Sequence, residues 1–353
     1  MKESSISIKA ESSMFRNRIV ILSFAFMVLV MLVHAENLYL AEASQGMGYR
    51  LLSSFEYFFG EVLGEVAVPG FFFISGYLFC RSFERQKVGP SMIWAKWKKR
   101  IFSLLIPYLI WNLIYYLIYL AFGRAELSLG SIYEALVKYA YNPVFWYMQQ
   151  LIILSILAPF LYAVFNDGGS KAAIFLLAMI FVVASNYSPE GIHIVNEDAL
   201  FYYCLGMVSV IFFRDIFEEG GVLLSKIGIA AFLIFMLVTV FHGYFMQSPY
   251  AAVLSGSEIL RRAGGVLTAW ALVFCCTDGK KEPKGFMGIN FFIYAVHYLI
   301  IRGVNVLLPE SLPALFAAYI AMPFICTLVP YGISLILRRF LPKIYLILCG
   351  GRQ

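Results

Sequence analysis

Long apolar stretches recur along the chain from Ile19 to Leu337, and they limit its possible folds more than any other feature. Each stretch holds about 20 apolar residues, enough for a helix to cross roughly 30 Å of hydrocarbon. Hydrophobic residues make up 61% of the chain and charged residues 14%, against about 45–50% and about 25% in soluble domains. This composition excludes an ordinary soluble enzyme, a disordered protein and a nucleic-acid binder. It predicts an all-α polytopic membrane protein.

The pattern predicts ten transmembrane helices. The apolar runs do not alternate as strands do, and an open sheet in lipid would leave backbone groups unpaired. Two runs are short, and Arg261 and Arg262 interrupt the eighth. Residues 1–18 are expected to form an N-terminal tail, 19–340 the transmembrane domain and 341–353 a C-terminal tail. The predicted spans are 19–36, 58–80, 101–123, 144–165, 172–186, 198–213, 227–246, 256–276, 287–307 and 313–337.

Basic residues are distributed unevenly between the two sides of these spans. Of the 27 Lys and Arg residues, 21 fall on the side of the N-terminus and three in the opposite loops, and the net charge is +6. Cytoplasmic segments of membrane proteins carry such an excess of basic residues. We therefore expect both termini in the cytoplasm and a multi-pass protein of the inner (cytoplasmic) membrane, in contact with membrane lipids.

The first span has an alternative interpretation as a signal peptide. Its apolar run ends in Val33, His34, Ala35 and Glu36, which resembles a signal-peptidase site. Cleavage there would leave nine spans with termini on opposite sides. The polar segment before the run is 18 residues long, which is long for a signal peptide and favours a retained span.

Ionisable residues inside the spans are few, and their cost in a bilayer makes them candidates for function. Glu61 and Glu65 are four residues apart and would share a helix face, which favours a hydrogen-bonded pair over a proton or cation site. His34 lies at the outer end of the first span, where its imidazole could take up and return a proton. The alternative is a histidine that only marks the interface. The full set is His34, Glu61, Glu65, His242, Glu258, Arg261, Arg262, His297 and Arg302.

The second span contains the string VPGFFFISGYLFC. Pro69 and Gly70 can open a helix, which lipid tolerates only where neighbours or water satisfy the freed backbone groups. Ser75 and Gly76 offer a small surface for close helix contact. Pure packing and the lining of a cavity remain equal alternatives for this segment.

A basic segment, KWKKRIFSLLIPYLIW, leads into the third span from Lys96. The cations Lys98, Lys99 and Arg100 at a membrane mouth could bind lipid headgroups or a polyphosphate ligand, Arg as a fixed fork and Lys as a point charge. The alternative is that they only anchor the span.

The fourth span opens with NPVFWYMQQLIIL. Trp146 and Tyr147 are typical of a membrane interface. Gln149 and Gln150 lie deeper and indicate hydrogen bonds to another helix. A short amphipathic helix is expected at 131–140, in the loop before this span.

The ninth span contains NFFIYAVHYLI, in which Tyr294 and His297 share a helix face. Alone, this spacing is more typical of a buried histidine than of a catalyst. The chain has no zinc spacing, P-loop, GxSxG or dinucleotide motif. Its six cysteines lie in or beside apolar stretches, and we expect buried thiols rather than disulfides or metal ligands.

Taken in order, these segments resemble the acyltransferase-3 family of integral membrane acyltransferases, over residues about 15–340. ILSFAFMVLVMLVH resembles the family's opening helix, which ends in a functional histidine, here His34. VPGFFFISGYLF and KKRIFSLLIPYLIW resemble its second helix and the basic start of its third. NPVFWYMQQLIIL is similar to its Trp-bearing fourth helix. FFIYAVHYLI resembles a late segment with an IY-x-x-H core, here Ile293, Tyr294 and His297.

The chain departs from the family pattern at three places. The family commonly carries Arg, or sometimes Lys, eleven residues before the first-helix histidine, where this chain has Ser23. Its third helix often has a second Arg three residues after the first, where this chain has Ser103. One branch has charged residues where this chain has Gln149 and Gln150. Part of the cationic site is therefore missing, and the candidates to replace it are Arg18, Lys98 and Lys99.

The resemblance implies an O-acyltransferase that moves an acyl group, usually acetyl, from cytoplasmic acyl-CoA to a hydroxyl of an envelope polysaccharide or lipid-linked sugar, without a metal. His34 would remove the hydroxyl proton or carry the acyl group transiently, and Tyr294 or His297 would orient it or stabilise the oxyanion. Acetyl-CoA, or another acyl-CoA, is expected to contact Arg100, Lys99, Lys98 and Ser75. The acceptor is expected to contact Trp146, Tyr147, Gln149 and Glu65.

Two other classes of protein remain open. A glycolipid or anion carrier could use Glu65, His297 and Arg302 for ion coupling. Carriers often have paired broken helices, however, and Pro69–Gly70 has no counterpart in the second half of the chain. A family member that has lost catalysis and acts as an assembly or sensing partner is suggested by Ser23.

Overall fold

Most of the chain that the structure describes is helical. This computed structural model describes residues 2–37, 46–83, 89–184, 194–246, 250–309 and 311–352, and within these ranges it has helices and no strands. The predicted all-α class is confirmed. The α-helices are α1 (Lys2–His34), α2 (Met47–Glu56), α3 (Ala67–Arg81), α4 (Pro90–Arg100), α5 (Ile106–Ala121), α6 (Leu129–Lys138), α7 (Trp146–Asn166), α8 (Gly169–Ala184), α9 (Glu197–Glu219), α10 (Val222–Val240), α11 (His242–Met246), α12 (Ala251–Cys276), α13 (Asn290–Leu307), α14 (Leu312–Phe340) and α15 (Pro342–Leu348).

Nine helical segments among the described residues are long and apolar enough to cross a membrane, and each matches a predicted span. The predicted span 172–186 corresponds to α8, which has 16 residues. Such a helix is about 24 Å long, shorter than the roughly 30 Å of hydrocarbon. Residues 185 and 186, and the basic residues Arg85 and Lys87, lie outside the described ranges. The nine segments are Glu11–His34, Met47–Arg81, Pro90–Ala121, Pro143–Asn166, Glu197–Glu219, Val222–Val240, Val253–Cys276, Gly285–Leu307 and Leu312–Phe340.

Two of these segments contain wide π-helical turns. One covers Tyr57–Leu63 and is followed by a 3₁₀ turn, Gly64–Val66, before α3 begins. The other covers Ile101–Leu105, between α4 and α5. The irregular backbone therefore comes before Pro69, and α3 is not opened at Pro69–Gly70, which was one of the two alternatives for this segment. Pro69 lies in the first turn of α3, where a missing N–H is tolerated.

The amphipathic helix predicted at 131–140 is confirmed as α6, two residues earlier. Its N-cap is Ser128, whose hydroxyl accepts a hydrogen bond of 3.0 Å from the Ser131 N–H. It ends at Tyr139, which adopts the left-handed conformation with φ 45°.

The chain forms two compact units. The first unit comprises Met1–Glu36, Gln45–Lys87 and Ala158–Gly288. The second unit comprises Asn37–Ser44, Val88–Leu157 and Ile289–Gln353.

Glycines allow α3 and α9 to pack closely in the first unit. A Cβ added to Gly76 would lie 2.0 Å from the Tyr203 carbonyl oxygen, and one added to Gly206 would lie 2.1 Å from the Phe73 carbonyl oxygen. The two backbones are therefore in direct contact at this crossing. Of the small surface expected at Ser75–Gly76, Gly76 is confirmed as a helix-packing position.

Hydrogen bonds from aromatic side chains to backbone carbonyls join the helices of the second unit. The Trp111 indole N–H donates to the Leu348 carbonyl at 3.0 Å, which fixes the end of α15 against α5. The Tyr115 hydroxyl donates to the Ala295 carbonyl at 3.0 Å and joins α5 to α13. Residues 342–348 of the predicted C-terminal tail are thus a packed helix.

The cysteines only partly match the prediction of buried thiols. Cys80, Cys204, Cys326 and Cys349 are buried, but Cys275 and Cys276 are exposed at the end of α12. An apolar stretch in a membrane protein faces lipid as well as protein, so an apolar neighbourhood in sequence does not guarantee burial.

Candidate functional site

The predicted site residues are divided between the two units. His34, Glu65 and Ser75 belong to the first unit, and the others belong to the second. Those of the second unit are Lys98, Lys99, Arg100, Trp146, Tyr147, Gln149, Tyr294 and His297.

His34 is the last residue of α1 and is partly buried. Two residues later, the Glu36 side chain lies against Gly60. A Cβ added to Gly60 would be only 2.4 Å from a carboxylate oxygen of Glu36. Burial, and then the charges of Glu61 and Glu56, raise the pKa of Glu36 to about 7. The end of α1 therefore combines an imidazole with a carboxyl group that titrates near neutral pH.

Glu36 is not among the site residues predicted from the sequence. Its acidic neighbours Glu56 and Glu61 are 20 or more positions away in sequence and flank or occupy the π-helical turn. A count of charges along the chain does not reveal that they come together.

Glu65 belongs to a cluster of ion-paired side chains in the first unit. Its carboxylate accepts hydrogen bonds from Arg261 at 2.5 Å and from Arg262 at 3.1 Å. Arg262 also binds Asp198 at 2.6 Å, and Arg261 binds Glu258 at 2.7 Å. This cluster joins the 3₁₀ turn before α3 to α9 and α12.

The cluster corrects the predicted pairing of Glu65 with Glu61. The four-residue spacing of these two residues puts them on one face only in a regular α-helix, and here they lie in π-helical and 3₁₀ turns. Glu65 binds the two arginines instead. His242, at 3.1 Å from Glu258, extends the cluster to α11.

Arg18, a candidate to replace the missing cation, forms hydrogen bonds at the ends of two helices. Its guanidinium donates to the Glu218 carbonyl at 3.5 Å and to the Thr277 carbonyl at 3.4 Å. It also lies 5.5 Å from the centre of the Phe274 ring. The terminal carbonyls of α9 and α12 thereby gain a cationic donor.

Tyr294 and His297 are joined to the segment that carries Trp146. The Tyr294 hydroxyl donates to the Val144 carbonyl at 2.7 Å, and its ring stacks on Phe145 at 5.3 Å with an interplanar angle of 5°. His297 is fully buried, and its Nδ1 lies 2.7 Å from the Tyr294 carbonyl oxygen. The structure thus brings together the fourth and ninth predicted spans.

Gln149 forms the predicted hydrogen bond to another helix. Its amide donates to the Val137 carbonyl in the last turn of α6 at 2.7 Å. Trp146 and Tyr147 are partly buried, and the Tyr147 ring meets Tyr294 edge-on at 5.8 Å.

Arg100 differs from its basic neighbours because it lines a cavity. Lys98 and Lys99 are exposed, whereas Arg100 is partly buried. The cavity has a volume of about 310 Å³ and is otherwise mostly apolar. Its lining also includes the indoles of Trp94 and Trp97 and the small polar residue Ser155. It can hold a molecule with an apolar part and an anionic group.

Arg352 is a second arginine near this region, and its sequence pattern predicts only a residue of the C-terminal tail. Its guanidinium donates to the carbonyls of Ser103 and Cys349 at 3.0 Å each. It lies 4.4 Å from the centre of the Phe291 ring. Burial, followed by the charge of Arg100, lowers the pKa of Arg352 to about 10. The only signal in sequence was the pair of glycines before it.

The helices and their apolar faces define an all-α, multi-pass membrane protein. The chain belongs to the acyltransferase-3 family, since the model of that family, described as an acyltransferase domain, matches residues 24–339. This match includes every predicted site residue and excludes Arg352.

The chain is also similar to the succinoglycan biosynthesis protein ExoH of Rhizobium meliloti (strain 1021). The two are 23% identical over 325 residues, which cover 86% of this chain and 84% of the relative. No solved structure matches the chain.

Proposed function

We propose that this protein is an inner-membrane O-acyltransferase. It moves an acyl group, preferably acetyl, from cytoplasmic acyl-CoA to a hydroxyl of an envelope polysaccharide or lipid-linked sugar. The observation that carries this proposal is the position of Arg100 at a mostly apolar cavity of about 310 Å³. An acyl-CoA has phosphates for the guanidinium and apolar parts for the cavity wall.

His34 acts as the general base in this proposal. Its imidazole takes the proton of the acceptor hydroxyl, and the oxygen attacks the thioester carbonyl. As the new C–O bond forms, the C–S bond breaks, and the leaving thiolate receives the proton from the imidazolium. The products are an ester and coenzyme A. The alternative is a transient acyl group on His34, which the acceptor then removes.

Tyr294 is proposed to orient the acceptor segment and not to donate a proton. Its hydroxyl proton is already used by the Val144 carbonyl. This bond and the Phe145 stack fix the chain just before Trp146 and Tyr147, which we propose to contact the acceptor together with Gln149. His297, one turn further along α13, supports the same arrangement through the Tyr294 carbonyl.

Glu65 receives a structural role instead of the predicted role in acceptor binding. Its carboxylate already neutralises Arg261 and Arg262. A carrier mechanism that moves ions through Glu65 would have to break these two ion pairs, and no observation favours it.

A sugar acceptor is supported by the similarity to a protein of succinoglycan biosynthesis. The family match supports acyl transfer. The polysaccharide or lipid-linked sugar and the acetyl group are inferred from these two findings and from the family resemblance.

The test is thiol release from acetyl-CoA by detergent-purified protein with crude envelope glycolipid as acceptor. Wild type should release coenzyme A only with the glycolipid, and His34→Ala should lower the rate by about 10²–10⁴. Ser23→Ala, on the same helix, is the matched control and should retain the rate. If folded wild type releases no thiol from acetyl-, succinyl- or longer acyl-CoA, the acyltransferase proposal fails. The non-catalytic partner would then take its place.

A further inference from the structure

Two glycines turn the chain after α15 so that it presses against Ser103. Gly350 and Gly351 have φ of 60° and 77°, in the left-handed region where glycine avoids steric strain. A Cβ on Gly350 would lie 2.4 Å from the Ser103 carbonyl oxygen. The turn therefore delivers the next residue, Arg352, to the start of the third span.

The Ser103 carbonyl is available to Arg352 for a reason visible in sequence. Four residues after Ser103 stands Pro107, which has no N–H to complete the α-helical hydrogen bond. The Arg352 guanidinium donates to this carbonyl at 3.0 Å. The Ser103 carbonyl cannot accept the α-helical hydrogen bond from Pro107, and it accepts one from the Arg352 guanidinium at a part-buried place.

The contacts of Arg352 in the described part of the chain are neutral. They are the carbonyls of Ser103 and Cys349 and the face of the Phe291 ring. No described carboxylate forms an ion pair with it, and Arg100 adds a second positive charge nearby. Two cations held close together at a partly buried place favour an anionic ligand, since an anion offsets both their repulsion and the cost of burial.

We infer that Arg352 and Arg100 form a phosphate-binding site, with Arg352 held in place by the Ser103 carbonyl and the Phe291 ring. Each guanidinium offers a fork of N–H donors that matches phosphate oxygens. The ligand is a phosphate group of the coenzyme A thioester, and this identity rests on the proposed function. Arg352 thus supplies the second cation of the donor site from the end of α15, where Ser103 itself carries no charge.

A phospholipid headgroup has the same chemistry, and the cavity beside Arg100 is mostly apolar. The test therefore has separate arms for the two sources. The first arm measures binding of coenzyme A, and of pantetheine, which has no phosphate, to purified full-length protein in neutral detergent. The second arm measures binding of inorganic diphosphate. The third measures retention of phosphatidylglycerol from mixed micelles.

The variants are Arg352→Gln, Arg352→Lys and the control Arg339→Gln. Arg339 is an exposed arginine of the same unit that lies over the Phe340 ring. Arg352→Gln should weaken binding of coenzyme A and of diphosphate roughly 10- to 100-fold. Pantetheine binding should not change. Arg352→Lys should recover part of the loss, and Arg339→Gln should bind as wild type does.

Unchanged binding of coenzyme A and diphosphate by folded Arg352→Gln overturns the inference. So does a loss restricted to phosphatidylglycerol, because the site would then hold a lipid. If wild type binds diphosphate through Arg352 but neither binds coenzyme A nor releases thiol, the phosphate site stands and the proposed function fails. If wild type releases thiol, and Arg352→Gln keeps both this release and the affinity for coenzyme A, the inferred phosphate site fails and the proposed function stands.

Discussion

The Tyr294 hydroxyl donates a hydrogen bond of 2.7 Å to the Val144 carbonyl, across 150 positions of sequence. The bond joins the two segments that carry Trp146 and His297. It also commits the hydroxyl proton, so the tyrosine is suited to hold the backbone in place rather than to act as an acid.

Tyr294→Phe tests this positioning role. The phenyl ring keeps the Phe145 stack, but the Val144 carbonyl loses its donor, and we expect a loss of about 1–3 kcal/mol in stability. Thermal inactivation of purified protein measures this loss. The pH profile of thiol release should keep its shape while the rate falls. A profile that loses one titration would show instead that Tyr294 exchanges a proton in the reaction.

Arg261→Met tests the ion cluster of the first unit. The Arg261 side chain is 5% exposed and binds two carboxylates. Removing one partner from a buried ion cluster leaves uncompensated charge and typically costs about 3–5 kcal/mol. We expect a large loss of the monodisperse fraction after mild heating.

The control for Arg261→Met is Arg302→Met, at an exposed arginine of α13. It should leave thermal stability close to that of wild type. Equal stability of the two variants would contradict the structural role of the cluster.

Glu36→Gln tests the raised pKa at the end of α1. The pKa of Glu36 in the folded protein is about 7, above its ordinary value of 4.5. The folded state therefore binds more protons than the unfolded state between these pH values, and stability falls as pH rises from 4.5 to 7. The neutral amide avoids this loss.

The melting temperature of Glu36→Gln should therefore match wild type near pH 4.5 and exceed it at pH 8. Near pH 4.5 the Glu36 carboxyl is neutral, as the amide is. A difference in melting temperature between the two proteins at this pH would therefore measure the steric effect of the amide. A difference in melting temperature that is constant across this range would show that the charge of Glu36 is not its cause.

Gly76→Ala tests the close crossing of α3 and α9. The added methyl would meet the Tyr203 carbonyl at 2.0 Å, and relief requires a shift of backbone. Overpacking of this kind costs about 1–3 kcal/mol.

Gly332→Ala, in α14, is the matched control because a Cβ there has nothing within 4 Å. In a helix this exchange alone stabilises by about 0.5–1 kcal/mol. The two variants should thus shift thermal stability in opposite directions. A gain from Gly76→Ala would rule out the tight crossing.

The positions of the spans follow from the sequence because an apolar run of about 20 residues has few other solutions. The helix α6 and the hydrogen bond of Gln149 also follow from local pattern. The spacing of Tyr294 and His297 predicted that they share a helix face. It did not predict which group accepts the hydrogen bond of the Tyr294 hydroxyl. That acceptor is a backbone carbonyl, and every residue carries one.

The parts that could not be predicted depend on irregular turns and on distant contacts. Glu61 and Glu65 were paired on the assumption of a regular helix, which the π-helical and 3₁₀ turns break. Glu65 meets Arg261 across 196 positions. Arg352 meets Ser103 across 249 positions. Charge patterns within a window of sequence carry no information about such partners.

The π-helical turn at Ile101–Leu105 sets the direction of the cations before it. A wide turn of this kind holds one residue more than an α turn, and each residue of an α-helix rotates the chain by about 100°. Deleting a single apolar residue from this turn would therefore swing Arg100 by more than a quarter of a circle around the helix axis while changing no charged side chain. The direction in which the basic side chains project from the helix therefore depends on the number of apolar residues that follow them. A one-residue insertion or deletion in the turn would rotate the whole basic segment about the helix axis.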